Sequence, residues 1–169
     1  LIVKNYTGDR LNFGLAAERA RAFGLSVNMV IVDDDIALPD LPQPRGVAGT
    51  LFVHKIAGGL AENGGDLASV TAAANRVIEG TMSLGMSLDT CTVPGSPKEH
   101  RIPEGKAELG LGIHGEAGIE QIAFESAAQA MQTIAGRLAP CMSDMPYAAI
   151  LNNLGGTSAL EMSVLSNEL

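Results

Sequence analysis

His114 stands between Glu108-Leu109-Gly110-Leu111-Gly112-Ile113 and Gly115-Glu116-Ala117-Gly118. An unperturbed imidazole titrates near pH ~6.5, so at neutral pH most of it is a base able to act as nucleophile, proton acceptor or metal ligand. Read alone, a histidine beside glycines serves structure as readily as chemistry. A zinc site needs further ligands at suitable spacing; only Glu116 is near, while His54 falls in a predicted helix and His100 in a proline-flanked loop. Metal is therefore the weakest of the readings, and no metal site is expected. Asp9 follows Gly8 at the end of an apolar run, where a carboxylate is either a general base or an Asx-type turn former. The residues by themselves favour the turn. Lys4 closes the same run, and its neighbours Leu1 and Val3 suggest burial, so its ammonium calls for a carboxylate or polar ligand. Asp9 is the candidate partner. Asp33-Asp34-Asp35 resembles a magnesium cluster, but consecutive residues after a strand point in different directions, and a solvated turn is the preferred reading. Neither GxxxxGK[ST] nor a GxGxxG that opens a helix occurs, so no nucleotide site is visible.

The elements that must position these residues can be read from periodicity. Leu1 to Val3 is a short apolar strand followed by the polar run Asn5-Tyr6-Thr7-Gly8-Asp9, and ligands of open α/β sheets gather at such strand ends. Apolar residues near helical spacing predict a helix from Asn12 to Arg21, stopped by Gly24, and Val27 to Val32 reads as a second strand. The prolines and glycines of 36–49 make a loop. Thr50 can cap a helix with Phe52, Ile56 and Leu60 on one face, ended by Asn63-Gly64-Gly65, and Asp66 caps another that runs to about Gly85. Pro94-Gly95-Ser96-Pro97 marks a boundary. Beyond it, Leu109, Leu111 and Ile113 alternate with Gly110 and Gly112, a strand-like period that leaves one face bare for close approach. Ser126 caps a helix to about Leu138, Tyr147 to Leu151 reads as a strand, and Thr157 or Ser158 caps a final helix. The expected fold class is α/β, as two consecutive partial α/β domains: 1–93 with a mainly parallel sheet, and 94–169 with a mixed sheet carrying His114.

With 169 residues, 46% of them hydrophobic, the chain can bury an ordinary core or parts of two small domains. Its formal charge of −8 repels phosphate backbones and anionic lipid, so neither nucleic acid nor a membrane surface is an expected partner. No apolar run approaches the roughly 20 residues that span a bilayer, and the start lacks a secretory pattern, which points to the cytoplasm. Cys91 and Cys141 stand alone and are expected as reduced, partly buried thiols.

Five stretches carry a resemblance. Lys4-Asn5-Tyr6-Thr7-Gly8-Asp9-Arg10-Leu11-Asn12-Phe13, Gly46-Val47-Ala48-Gly49-Thr50, Cys91-Thr92-Val93-Pro94-Gly95, Glu108 to Gly118, and Asn152-Asn153-Leu154-Gly155-Gly156 resemble, in order, the substrate-binding domain of dihydroxyacetone kinases. The resemblance implies that His114 bonds covalently to the carbonyl carbon of dihydroxyacetone as a hemiaminal, that Asp9 contacts a terminal hydroxyl and accepts its proton, and that Lys4 binds substrate. A ketone offers an electrophile that glycerol lacks, so covalent capture would select dihydroxyacetone or a close ketose such as erythrulose. ATP and Mg2+ would sit on a separate or fused helical nucleotide-binding domain or subunit, or phosphate would come from a phosphotransferase protein; a homodimer is also implied. The family's Gly-Gly-x-Gly-His segment, with a second catalytic histidine, would precede Leu1, and its last strands would follow Leu169. The chain is therefore expected to be a piece that is inactive alone. The stretch Leu38 to Arg45 is proline-bearing where relatives carry Gly-Arg-Arg. The alternative function is a non-catalytic ketose-binding regulator.

Overall fold

The computed structural model describes residues 1–39, 42–92 and 94–169. Its packing divides into two compact units, Leu1–Asp35 with Pro39–Ser83, and Ile36–Leu38 with Leu84–Leu169. The expected division at 93/94 thus lies within the second unit, because Met86–Ser87 already pairs with the strand that leads to His114. Asp40 and Leu41 of the proline-bearing stretch Leu38 to Arg45, and Val93 of the stretch Cys91 to Gly95, lie outside the described residues.

In the first unit, β1 (Ile2–Lys4) and β2 (Val30–Val32) pair in parallel, with Ile2 opposite Val30 and Lys4 opposite Val32. Both strands are β-branched runs suited to a buried parallel pair. Helix α1 (Thr7–Ala22) starts well before the expected Asn12. Tyr6 is extended as its N-cap and accepts the Arg10 N–H at 2.9 Å, so Asp9 lies in the first helical turn and not in a loop. In α2 (Thr50–Glu62) the cap position belongs to Gly49, while the Thr50 hydroxyl turns back to the Val47 carbonyl at 2.9 Å. The helix ends at Asn63-Gly64-Gly65 as its residues predict, with Gly64 and Gly65 N–H bonded to the carbonyls of Ala61 and Leu60. Asp66 caps α3 (Leu67–Glu79) by accepting the Ser69 N–H at 2.7 Å; the helix stops at Gly80, short of Gly85.

Val30 and Val32 of the sheet, Val53 and Ala57 of α2, and Ala74 of α3 form the core of this unit, flanked by Ile2, Val70, Val77 and Ile78. Each valine so buried contributes roughly 1.5–3 kcal/mol. Helix α2 has two apolar rows, and the one buried is Val53–Ala57; Ile56, in the bulkier row singled out by spacing, is 48% exposed. Small Ala57 and Ala74 let the helices approach, which the larger row would not.

In the second unit, β3 (Met86–Ser87), β4 (Lys106–Leu109) and β5 (Glu120–Ala123) lie in that order. The sheet expected to be mixed is antiparallel in both of its described pairings, with Met86 opposite Leu109 and Leu109 opposite Glu120. The strand read over 109–113 ends at Leu109: Gly110 adopts φ +74° and bonds its N–H to the Gly85 carbonyl at 2.6 Å, turning the chain out of the ladder. Ser126 caps α4 (Ala127–Leu138) through the Gln129 N–H at 3.2 Å, and Ser158 with Glu161 forms a capping box on α5 (Ala159–Glu168), which packs on α4. The stretch 147–151 is not a strand; no described strand pairs with it, and the Tyr147 hydroxyl instead accepts the Ser143 N–H at 2.8 Å. Cys91 and Cys141 are unpaired in any disulfide and exposed, not partly buried.

Candidate functional site

Lys4 and Asp9 belong to the first unit and His114 to the second. Lys4 closes β1, and the backbone next to it is tightly organised. Asn5 is buried; its N–H bonds the Val32 carbonyl at 2.9 Å, its side-chain amide donates to the Pro44 carbonyl at 2.8 Å, and its amide oxygen accepts from Arg10 at 3.3 Å. Gln43 donates to the Asn5 carbonyl at 3.0 Å. These bonds draw the loop 43–49 across the carboxyl ends of β1 and β2, the part of an open α/β sheet where ligands bind. Gly46 makes that approach possible: a Cβ there would overlap the Val32 carbonyl oxygen and lie 3.0 Å from both Asn5 N and Lys4 Cα.

Two of the three consecutive aspartates fasten this loop. The Asp34 carboxylate accepts the N–H groups of Val47 and Gly49, each at 2.8 Å, together with the Ser83 hydroxyl. Asp35 takes the Arg45 guanidinium at 2.6 Å. Both are buried and Asp33 is exposed, so the expected solvated turn is an anchor that holds the loop by its amides. The loop-holding roles of Asp34 and Asn5 are not readable from residue type, since the aspartate run reads as a solvated turn or a magnesium cluster and Asn5 as one residue of a polar stretch.

Asp9, in the first turn of α1, sits where the helix N-terminus favours a negative charge. It is half-buried, and no side-chain hydrogen bond to it is found among the described residues. The turn-forming role favoured by its residue context is thus replaced by a helical position. No carboxylate among the described residues pairs with Lys4, so the suggested Lys4–Asp9 ion pair is not formed.

In the second unit, His114 occupies a turn in the loop 110–119 between β4 and β5. The loop is closed at its base by Ile119 N–H to the Leu109 carbonyl at 2.8 Å and midway by Gly112 N–H to the Glu116 carbonyl at 3.1 Å. Gly115 has φ +85°, and a Cβ there would lie 2.7 Å from the Cys91 sulfur. The imidazole is 59% exposed, with Nδ1 3.2 Å from Glu116 Oε1, while the His114 N–H donates to Glu116 Oε2 at 2.9 Å. Burial of the Glu116 carboxyl works to raise its pKa, but the backbone N–H groups of Glu116 and His114 and the imidazole outweigh it and hold the group below the usual range. Beneath the loop, Glu108 of β4 is buried against Arg101, with Oε2 2.7 Å from the guanidinium. The Arg101 hydrogen bond leads in holding its carboxyl low, against the opposing cost of burial, and the Gly118 N–H adds to it. Among the described residues no group of three His, Cys, Asp or Glu could hold a metal ion. No described helix is long and apolar enough to cross a membrane.

The model of the Dak1 domain matches residues 1–169, the whole of the sequence. The chain belongs to the Dak1 domain family. It is 49% identical over 174 residues to the dihydroxyacetone kinase of Citrobacter freundii, covering 100% of this chain and 31% of that one. The native crystal structure of that kinase superposes with a TM-score of 0.94 over 99% of this chain, and its complex with AMP-PNP and Mg2+ with 0.88. The dihydroxyacetone-binding subunit of a PTS-dependent kinase from Listeria innocua is 38% identical, over 100% of this chain and 54% of the subunit. A dihydroxyacetone kinase operon co-activator, Dha-DhaQ, is 27% identical with a TM-score of 0.91, over 99% of this Dak1 chain and 54% of the co-activator. The Dak1 chain thus spans about a third to a half of the length of these relatives.

Proposed function

We propose that this chain is the ketose-holding part of a dihydroxyacetone kinase, in which a ring nitrogen of His114 adds to the carbonyl carbon of dihydroxyacetone, or of a short ketose such as erythrulose, to hold it as a hemiaminal. The observation that carries this reading is an exposed imidazole on a glycine-permitted turn, its ring fixed against a carboxylate, in a chain that resembles these kinases over its whole length. Lys4 binds sugar oxygen, and Asp9, a carboxylate with no hydrogen-bond partner among the described residues, accepts the proton of the hydroxyl that is phosphorylated. Phosphoryl transfer depends chiefly on positioning and charge stabilisation, so an immobilised acceptor supplies much of what this part must contribute.

On the same reading ATP and Mg2+ bind a separate or fused helical domain, consistent with the C. freundii kinase having been solved with AMP-PNP and Mg2+. The homodimer implied by the resemblance belongs to this proposal too, and sedimentation of the full-length protein tests it. A second reading, a ketose-binding regulator without kinase activity, is favoured by the likeness to the co-activator. Mixing the full-length protein with a helical nucleotide-binding partner and following ketose-dependent ATP consumption separates the two. Consumption supports the kinase; its absence with intact ketose binding supports the regulator.

A further inference from the structure

Arg10 stands where a cation is not ordinarily favoured. It is the fourth residue of α1, and the partial positive charge of a helix N-terminus opposes a guanidinium there, whereas Arg19 and Arg21 lie in the last turn, where the helix favours them. Arg45, Arg101 and Arg137 are paired with Asp35, Glu108 and Glu120. Arg10 is exposed and has no carboxylate partner among the described residues. What draws its side chain is Asn5: Nη1 donates to Asn5 Oδ1 at 3.3 Å, a long bond. Asn5 is itself buried and held, with Nδ2 on the Pro44 carbonyl at 2.8 Å and its N–H on the Val32 carbonyl at 2.9 Å, so its amide oxygen is the atom left to face Arg10. The guanidinium is thereby led to the carboxyl end of β1, where Lys4 closes the strand and Asp9 stands in the first turn of the helix. Of its five N–H donors, this contact uses one.

Phosphoryl transfer spreads negative charge over three oxygens of the migrating group, and the site as proposed offers little to meet it. Asp9 is itself an anion, Lys4 is assigned to the sugar, and the chain carries a formal charge of −8. A planar guanidinium with parallel N–H groups fits two such oxygens at once. Resting on the proposal that this chain holds a ketose for phosphorylation, we infer that Arg10 is a further catalytic residue, whose guanidinium binds the phosphoryl group as it passes to the ketose hydroxyl and stays on it in the product. In that step Asp9 takes the hydroxyl proton and the hydroxyl oxygen forms the new bond to phosphorus. The bond from phosphorus to the leaving oxygen of the donor, a nucleoside triphosphate on the reading above, breaks with its electron pair staying on that oxygen. Arg10 gives up neither proton nor electrons; it donates hydrogen bonds to the non-bridging oxygens.

Dihydroxyacetone and dihydroxyacetone phosphate differ only by the group assigned to Arg10, so calorimetry of both with the full-length protein isolates its contribution. In Arg10→Gln, dihydroxyacetone should bind within about twofold of the wild type, while the phosphate ester should bind at least about tenfold more weakly, the worth of a hydrogen bond to a charged group. With the nucleotide-binding domain or partner present, kcat should fall by roughly 10²-fold or more while the KM for dihydroxyacetone holds, as for loss of a donor aimed at a transition-state oxygen. If both ligands weaken together, or neither weakens, Arg10 is a bracket for Asn5 or a bystander, and the inference is overturned. Should Arg10→Gln bind neither ligand, Arg10→Lys decides, because it keeps the charge and loses the fork. Dihydroxyacetone bound as in the wild type with a weakened phosphate ester supports the role; an unchanged ratio of the two affinities overturns it. A wild type that binds neither ligand contradicts the ketose-holding reading itself, whatever Arg10 does.

Discussion

Asp9 and Gly115 place the sharpest demands on single residues. If Asp9 accepts the proton of the reacting hydroxyl, Asp9→Asn keeps the shape in the first turn of α1 and removes the base. Turnover of the full-length enzyme should fall by roughly 10²–10⁴-fold while ketose affinity changes far less, measured as separate kcat and binding constants. Near-normal turnover would leave Asp9 as a favourable charge at a helix N-terminus. Gly115 meets two constraints at once, φ +85° and the nearby Cys91 sulfur. Gly115→Ala should destabilise the loop by roughly 1–3 kcal/mol in urea unfolding and weaken ketose binding with it. His114 was legible in the sequence because its motif block is distinctive. Asn5 and Asp34 were not, since their work is to bind backbone groups of a loop remote in sequence, and nothing in residue type announces that.

Among the elements, three of the caps are legible in the sequence, whereas Thr50 yields the α2 cap position to Gly49 and strand pairing is not legible. Asp66, Ser126 and Ser158 cap the helices that follow them because a cap is decided within three residues. β4 ends at Leu109, short of the alternation: the pattern of 109–113 imitates a strand, but a ladder needs a partner, and Gly110 turns away toward Gly85. The same limit applies to 147–151. What holds β4 under the His114 loop is Glu108 with Arg101, and Glu108→Gln should cost roughly 1.5–3 kcal/mol at neutral pH, the worth of a hydrogen bond to a charged group. The folded-state pKa of Glu108 is depressed, so its contribution is full above the unfolded value of about 4.3 and is lost as pH falls through the folded value. Denaturation between pH 7 and pH 3 should therefore show a shallower acid loss in Glu108→Gln than in the wild type. Parallel acid profiles would contradict the assignment.

For the whole molecule, composition and motif order led to an α/β chain of the Dak1 domain family, whereas the division between compact units fell at Ser83 and not at the proline-glycine punctuation after it. Punctuation marks a loop, but strand pairing decides to which unit the loop belongs. The functional consequence at this scale is selectivity. Glycerol has no carbonyl for His114 to attack, so in the full-length protein His114→Ala should weaken dihydroxyacetone binding by at least about tenfold, or ~1.4 kcal/mol, and leave glycerol binding little changed by calorimetry. A retained preference for the ketose would assign selectivity to shape or hydrogen bonding. The central claim is the bond itself, and a crystal structure of the full-length protein with dihydroxyacetone tests it most directly. Continuous density from a ring nitrogen of His114 to a tetrahedral carbon of the sugar is the predicted result; a planar ketone held without a bond, or bound elsewhere, would contradict it.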